Sequence, residues 1–255
     1  KVEMLQLSSS AKVELLTNKA GYEKTVVYSI HGGGFMMGLM NNYRSLAQTY
    51  KKQLQVDVAS LDYRFAPQYQ FPCALDDAVE GYQLLLQKYQ HLNIIVIGDS
   101  AGGNQAITLC LKLKQLNIEL PGALILLSPY GDISHQNETY ISKGQIDPLL
   151  GYKLGEHFID NPYLGDSDPN NPLLSPIKAT VEDFLDFPDV LIQVGTKECV
   201  ESDSDVIYSK MREAHVNVRL HKFPGMFHVF QVLFPGLKES KVAWEEIYQF
   251  IGERK

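Results

Sequence analysis

The stretch IIVIGDSAGG, from Ile94 to Gly103, decides the fold of this 255-residue chain. Its first four residues form a short β-branched run that is typical of a buried strand. The residues from Asn104 to Leu116 carry apolar side chains at helical spacing, so the sequence predicts a strand, a tight turn and a helix, with Ser100 on the turn. The small residues around Ser100 allow the turn to tighten until the hydroxyl projects from the strand tip. Gly-x-Ser-x-Gly in this setting is typical of a nucleophile elbow.

A second glycine-rich segment lies upstream, directly after the strand-like run at residues 25–30. It reads His31-Gly32-Gly33-Gly34-Phe35. A glycine triplet after a buried strand is costly in chain entropy, but it suits a place where backbone amides must face an oxygen anion without obstruction by side chains. Together the two motifs indicate acyl-transfer chemistry, with Ser100 as the candidate nucleophile.

Composition and charge exclude several other classes of protein. The chain carries 23 basic and 30 acidic side chains, which gives a net charge of −7. This balance argues against a nucleic-acid partner and against attraction to anionic membranes, because both require clustered basic residues. No apolar stretch reaches the roughly 18 residues needed to span a bilayer. The three cysteines, Cys73, Cys110 and Cys199, are far apart and form no zinc-type cluster, so we expect a cytoplasmic protein without a metal site.

Strand-like runs alternate with helical patterns along the chain. This alternation predicts an α/β fold in a single domain over residues 1–255, with a mostly parallel central sheet and helices on both faces. Two N-terminal runs, Val2 to Leu7 and Lys12 to Leu16, are predicted to form an antiparallel edge. The other predicted strands are 25–30, 56–61, 94–97, 123–127, 190–194 and 217–222, and the predicted helices are 42–53, 74–90, 104–116, 203–214 and 242–253.

One long stretch, from about residue 131 to residue 187, interrupts the alternation. It is rich in Pro, Asn, Asp and Gly, and it carries helical patterns only near Leu149 to Ile159 and Val181 to Leu185. An insertion of this length at the carboxyl end of a strand usually covers an active site, so we expect it to form a small lid.

Several motifs in register resemble the hormone-sensitive-lipase-like branch of the α/β-hydrolases. The resemblance depends on the His31 to Gly34 segment, on the elbow with its following Gly103, and on DYRFAPQ at 62–68 and FPCALDD at 71–77. Shorter matches follow in the same order, at Ser128-Pro129, Ser175-Pro176, Val194-Gly195 and Phe227-His228. The resemblance runs from about residue 20 to the C-terminus. It implies an α/β-hydrolase fold, hydrolysis of short-chain acyl or aryl esters, and neither a metal nor an organic cofactor.

In the resembling family an N-terminal helical segment completes the lid. No such N-terminal cap is evident in this sequence. We therefore expect the cap either to be missing from the chain or to be reduced. In both cases the sequence does not determine the preferred substrate.

The same resemblance orders the remaining catalytic candidates. The nucleophile, the acid and the histidine follow one another in this fold, and His228 is the histidine that comes after the final predicted strand. By register with the family's Asp-x-Leu motif, Glu198 takes the position of the acid. Glu201 and Asp203 are its nearest competitors, although both have a simpler role as negative charges at a helix start.

The predicted oxyanion hole consists of the backbone amides of Gly33, Gly34 and Ala101. Beside it, Phe35, Met36 and Met37 are expected to line an open, partly apolar groove that accepts a short acyl chain and favours a homodimer. Two alternatives remain: an amide or formamide hydrolase with the same triad, and a small-molecule receptor of the kind found where the triad histidine is lost.

Overall fold

The computed structural model describes residues 1–17, 23–151 and 161–253, which form one eight-stranded sheet and the helices around it. The strands are β1 (Val2–Gln6), β2 (Lys12–Leu16), β3 (Val26–Ile30), β4 (Asp57–Asp62), β5 (Ile94–Asp99), β6 (Ala123–Leu127), β7 (Asp189–Gly195) and β8 (Val218–Phe223). The α-helices are α1 (Asn41–Leu54), α2 (Cys73–Leu86), α3 (Ala101–Gln115), α4 (Glu138–Ser142), α5 (Glu201–Glu213), α6 (Phe230–Leu233) and α7 (Lys238–Gly252).

The sheet has the order β1-β2-β4-β3-β5-β6-β7-β8. β1 pairs with β2, and β2 with β4, in antiparallel register, whereas every other neighbouring pair is parallel. The predicted mostly parallel sheet and its antiparallel N-terminal edge are therefore confirmed. The chain runs from β3 outward to β4 and then returns to the other side of β3 as β5. Ligands of open α/β sheets bind at such a switch point, outside the carboxyl ends of the strands.

Helices cover both faces of the sheet, as the alternating pattern predicts. Helices α2, α3 and α5 contribute to the hydrophobic core on one face, and α1 and α7 contribute to the core on the other. Successive residues of the central strands point to opposite faces, so Val96 packs in the first core and Ile95 in the second. Because both faces are buried, these strands have continuous apolar sequences and no polar alternation.

The long insertion after β6 contains short elements in its described part. α4 is followed by hydrogen-bonded turns, and 3₁₀ helices span Pro176–Lys178 and Glu182–Phe184. The second of these occupies the helical pattern predicted near Val181 to Leu185. Most of the helix predicted near Leu149 to Ile159 lies outside the described residues. Within the described ranges, no helix has the length and apolar content needed to cross a bilayer.

Candidate active site

The Ser100 turn joins the carboxyl end of β5 to the first residue of α3. Ser100 has φ 52° and ψ −117°, a conformation that L-residues rarely adopt and that costs about 1–3 kcal/mol. Two glycines permit it, because a Cβ atom on Gly98 would collide with the Gly102 carbonyl, and one on Gly102 with the Ile30 carbonyl. The turn is fixed by the Ser100 amide, which donates to the Leu127 carbonyl at 2.9 Å. The structure thus places Ser100 at the carboxyl edge of the sheet.

His228 lies in the loop after β8 and contacts Ser100 directly. Its Nε2 atom is 2.9 Å from Ser100 Oγ, and its Nδ1 atom is 2.7 Å from Glu198 Oε2. Since the Glu198 carboxylate accepts from Nδ1–H, Nε2 carries the free lone pair and the Ser100 hydroxyl donates to it. His228 is 6% exposed and Glu198 is fully buried. The structure therefore brings the three predicted catalytic side chains into one hydrogen-bonded chain.

The second carboxylate oxygen of Glu198 has two further partners. The Gly195 amide makes a short hydrogen bond to Oε1, and Ser128 Oγ donates to the same atom at 3.0 Å. Ser128 Oγ in turn accepts from the Val229 amide at 3.1 Å. Ser128 thus links the acid to the residue that follows the histidine. In the sequence, Ser128-Pro129 is only a short family match, and it carries no local signal for this role of Ser128.

Glu201 and Asp203, the competing acids, face other partners. Glu201 pairs with Lys143 and Lys222. Asp203 is buried and accepts from the amides of Gly131 and Asp132, from the Asn137 side chain and from the Tyr140 hydroxyl. Burial raises the pKa of Asp203 to about 7. Asp203 therefore holds the start of the insertion.

The charge balance around His228 favours its protonated form. Burial lowers the pKa of His228, but the hydrogen bond and charge of Glu198, followed by the charges of Asp147 and Asp99, outweigh that effect and raise it above its ordinary value. Burial also raises the pKa of Asp99 to about 6. Three carboxyl groups from three different elements thus act on one imidazole.

The glycine loop after β3 lies beside the elbow, because Ile30 pairs with Gly98 across β3 and β5. Gly33 has φ 108° and Gly34 has φ 63°, values that favour glycine over other residues. Ala101, the third predicted oxyanion donor, follows Ser100 and begins α3. His31 is buried, stacks on Tyr63 at 4.2 Å and donates from Nδ1 to the Gly32 carbonyl.

The three residues after the triplet do not share one environment. The Phe35 side chain is 1% exposed and stacks on Tyr163 with ring centroids 4.1 Å apart. Met36 is partly buried against the core, whereas Met37 is 45% exposed. Only Met37 of the three therefore presents a large apolar surface to solvent, and Phe35 belongs to the interior.

The structure offers little for a metal ion. In residues 1–17, 23–151 and 161–253, no group of three His, Cys, Asp or Glu side chains is arranged to hold one. The three cysteines are free thiols, and Cys110 and Cys199 are buried.

Several known proteins are similar to this chain in sequence and in fold. An esterase of Acinetobacter venetianus is 34% identical over 226 residues, which cover 88% of this chain and 74% of that protein. An acetyl-hydrolase of Streptomyces hygroscopicus is 29% identical over 229 residues, with 89% and 75% coverage. The crystal structure of a hormone-sensitive-lipase homologue from a metagenome library matches with a TM-score of 0.90 at 31% identity, covering 100% of this chain and 86% of that one.

A sequence model of the α/β-hydrolase fold family matches residues 26–232. This range includes the glycine loop, the elbow, Glu198 and His228. The chain therefore belongs to the α/β-hydrolases, in their hormone-sensitive-lipase-like esterase branch.

Proposed function

We propose that this protein hydrolyses carboxylic esters through Ser100, His228 and Glu198. One observation carries the proposal: His228 is 2.9 Å from Ser100 Oγ through Nε2 and 2.7 Å from Glu198 through Nδ1. Such a chain gives a weak hydroxyl nucleophile both a base and a group that fixes the tautomer of that base. The names of its relatives, an esterase and an acetyl-hydrolase, support the same reaction class.

In the acylation step, Ser100 Oγ attacks the ester carbonyl carbon while His228 Nε2 takes the hydroxyl proton. The carbonyl oxygen becomes an anion, and the backbone amides of Gly33, Gly34 and Ala101 donate hydrogen bonds to it. When the tetrahedral intermediate collapses, the C–O bond to the alcohol breaks and the departing oxygen takes the proton from His228. Ser100 is left as an acyl ester.

In the deacylation step, His228 removes a proton from water as the water oxygen attacks the acyl carbon. Collapse of the second intermediate returns the proton to Ser100 and releases the carboxylic acid. Glu198 stays ionised throughout and stabilises the imidazolium that forms in each step. Its second oxygen is held by Ser128 Oγ and the Gly195 amide, so its orientation is set before substrate arrives.

We propose short-chain acyl or aryl esters as substrates. The acetyl-hydrolase named above supports a small acyl group. The burial of Phe35 supports it too, because this side chain fills the interior beside the glycine loop and leaves Met37 as the most exposed of the three residues after the triplet. Each methylene of a longer chain that stays in water forfeits about 0.8 kcal/mol of binding energy.

The two alternatives receive no comparable support. A binding-only receptor does not need a histidine that joins the elbow serine to a buried carboxylate, yet His228 does so here. The same triad is chemically able to open amides, but the relatives named above include an esterase and an acetyl-hydrolase.

A panel of p-nitrophenyl esters of increasing acyl length tests the proposal. We expect kcat/KM to be highest for short acyl groups and to fall for long ones, with no turnover by Ser100→Ala. Stoichiometric binding of the esters without release of p-nitrophenol would favour the receptor instead. A preference for long-chain esters would contradict the proposed substrate class.

Two further expectations concern the cellular location and the oligomeric state of the enzyme. The free thiols of Cys73, Cys110 and Cys199 support a reducing, cytoplasmic location. The exposed side chains of Met37, Met40 and Phe65 support self-association as a homodimer. Sedimentation equilibrium of the purified protein tests the second expectation.

A further inference from the structure

Three polar side chains of the insertion bind the loop that carries Glu198 through hydrogen bonds. Thr139 lies in α4, and Lys143 and Asp147 follow it at intervals of four residues. The amides of Ile146 and Asp147 both donate to the Lys143 carbonyl, so the chain continues to turn in a helical sense beyond α4. This spacing places the three side chains on one side of the segment, toward residues 195–201, which we call the acid loop.

The three side chains contact the backbone of the acid loop at Thr196 and at Cys199. Lys143 Nζ donates to the Thr196 carbonyl at 2.9 Å and pairs with Glu201. The Thr139 hydroxyl makes a short hydrogen bond to the Cys199 carbonyl and accepts from the Ser202 amide at 3.0 Å. The backbone is thus held on both sides of Glu198.

Asp147 makes the contact nearest to the acid. Its Oδ2 atom accepts from the Cys199 amide, one residue after Glu198, at 2.7 Å. Its Oδ1 atom accepts from the amides of Leu149 and Leu150 at 2.8 and 2.9 Å. Asp147 is 6% exposed, so these bonds form largely out of water. A buried carboxylate with three amide donors is held in one orientation.

We propose that Asp147 is a positioning residue for the hydrolytic site: together with Thr139 and Lys143 it fixes the acid loop on Glu198, and its negative charge acts on His228. This inference rests on the proposed function, because it concerns how Glu198 and His228 are held. It gives the insertion a role in the triad in addition to covering the site.

Three carboxyl groups place negative charge near His228, and they lie on different parts of the chain. Glu198 contacts the ring from the acid loop, Asp99 acts from the end of β5, and Asp147 acts from the insertion. The cation of Lys143 is paired with Glu201, which also pairs with Lys222. Of the three carboxyl groups, only Asp147 belongs to the insertion, so Asp147 joins the insertion to the acid loop through the Cys199 amide and adds the insertion's charge to those near the imidazole.

Asp147→Asn is the primary test. The variant keeps the shape of the side chain, but it loses the charge, and an amide nitrogen cannot accept from a backbone N–H. We expect kcat on a short p-nitrophenyl ester to fall roughly tenfold. We also expect the acid-side midpoint of the kcat/KM profile to move to lower pH, since a base that loses a nearby negative charge is protonated less readily.

The matched control is Asp166→Asn, which removes the same charge from an exposed position of the same insertion. It should retain the wild-type kcat and midpoint. An Asp147→Asn variant with the wild-type midpoint would show a merely structural role and overturn the inference, as would an unchanged kcat.

Thr139→Val separates positioning from charge. It removes the three hydrogen bonds that the hydroxyl makes with the Cys199 carbonyl and with the amide and hydroxyl of Ser202, and it leaves every charge in place. We therefore expect kcat to fall roughly fivefold while the midpoint stays unchanged. If Asp147→Asn does not fold, an unchanged kcat in Thr139→Val overturns the positioning claim. Ser100→Ala in the same assay distinguishes a failure of the proposed function from a failure of this inference. Turnover by Ser100→Ala contradicts the proposed function. If Ser100→Ala is inactive and Asp147→Asn has wild-type kcat and midpoint, only this inference is contradicted.

Discussion

Asp99 Oδ1 accepts a hydrogen bond from the Gly32 amide at 3.1 Å, so the residue before the nucleophile is joined to the start of the glycine loop. Its other oxygen accepts from the Tyr43 hydroxyl at 2.9 Å. A Cβ atom on Gly32 would collide with Asp99, which explains why the second position of the loop is glycine. The proposed nucleophile and oxyanion donors are therefore held together by one side chain.

Replacing Asp99 tests this link. Asp99→Ala removes one of the two acceptors of the Gly32 amide, the Tyr43 hydroxyl being the other. It should lower kcat roughly 10- to 100-fold, because the donors are no longer held where the oxyanion forms. Asp99→Asn should retain most of the activity, since its amide oxygen still accepts from Gly32 while the Tyr43 hydroxyl accepts from its nitrogen. Steady-state kinetics on p-nitrophenyl acetate, with urea unfolding as a check on folding, distinguish the two. Equal activity in both variants would argue against the link.

The identity of the acid is tested by three substitutions. Glu198→Gln should lower kcat by roughly two to four orders of magnitude, because His228 loses the group that fixes its tautomer and stabilises its charge. Glu201→Gln and Asp203→Asn should cost far less, since these side chains contact lysines and the start of the insertion. A larger loss in Asp203→Asn than in Glu198→Gln would mean that the acid is wrongly assigned.

The sequence predicts the central sheet and its covering helices more accurately than it predicts the insertion. Ala123 to Leu127 and Lys12 to Leu16 form strands with the predicted bounds, because continuous apolar runs and strict alternation are local signals. α4, with five residues, and α6, with four, were not predicted. Helices this short contain barely one turn, so they show no periodicity, and tertiary contacts stabilise them.

The features of the site that the motifs do not predict depend on contacts between residues far apart in the sequence. The aromatic side chain of Phe35 suggests a groove, but Tyr163, from the middle of the insertion, stacks on it and buries it. The position of Asp203 suggests a helix-start charge, yet its partners lie at residues 131–140. Asp147 carries no local signal for its bond to Cys199, 52 residues away. Ser100 and His228 can be predicted from the sequence because their motifs have fixed places in the fold.

The pH profile of the reaction follows from the environment of His228. Its pKa is raised above the ordinary value of 6.5, since the carboxylates outweigh the effect of burial. The base must be neutral to accept the Ser100 proton, so activity should fall as pH drops through this raised pKa. We expect the acid-side midpoint of kcat/KM to lie above 6.5. A midpoint below that value would contradict the charge balance described for the site.

Asp203 should make folding stability depend on pH. Burial raises its pKa from 3.8 to about 7, so the folded state holds this proton more tightly than the unfolded chain does. Stability from this group is therefore present below 3.8 and is lost as pH rises toward 7. Between about pH 5 and about pH 8, wild type should lose roughly 2–3 kcal/mol of unfolding free energy relative to Asp203→Asn. Parallel pH dependence in urea unfolding of the two proteins would contradict this.

Covalent labelling tests whether Ser100 is the residue that is acylated during turnover. The protein is incubated with phenylmethanesulfonyl fluoride, residual activity on p-nitrophenyl acetate is followed, and the labelled peptide is identified by mass spectrometry. We predict one sulfonyl group per chain, located on Ser100, loss of activity in proportion to labelling, and much slower labelling of His228→Ala because Ser100 then lacks its base. Full activity after stoichiometric labelling of Ser100, or activity lost through a label on another residue, would contradict an acyl-Ser100 mechanism.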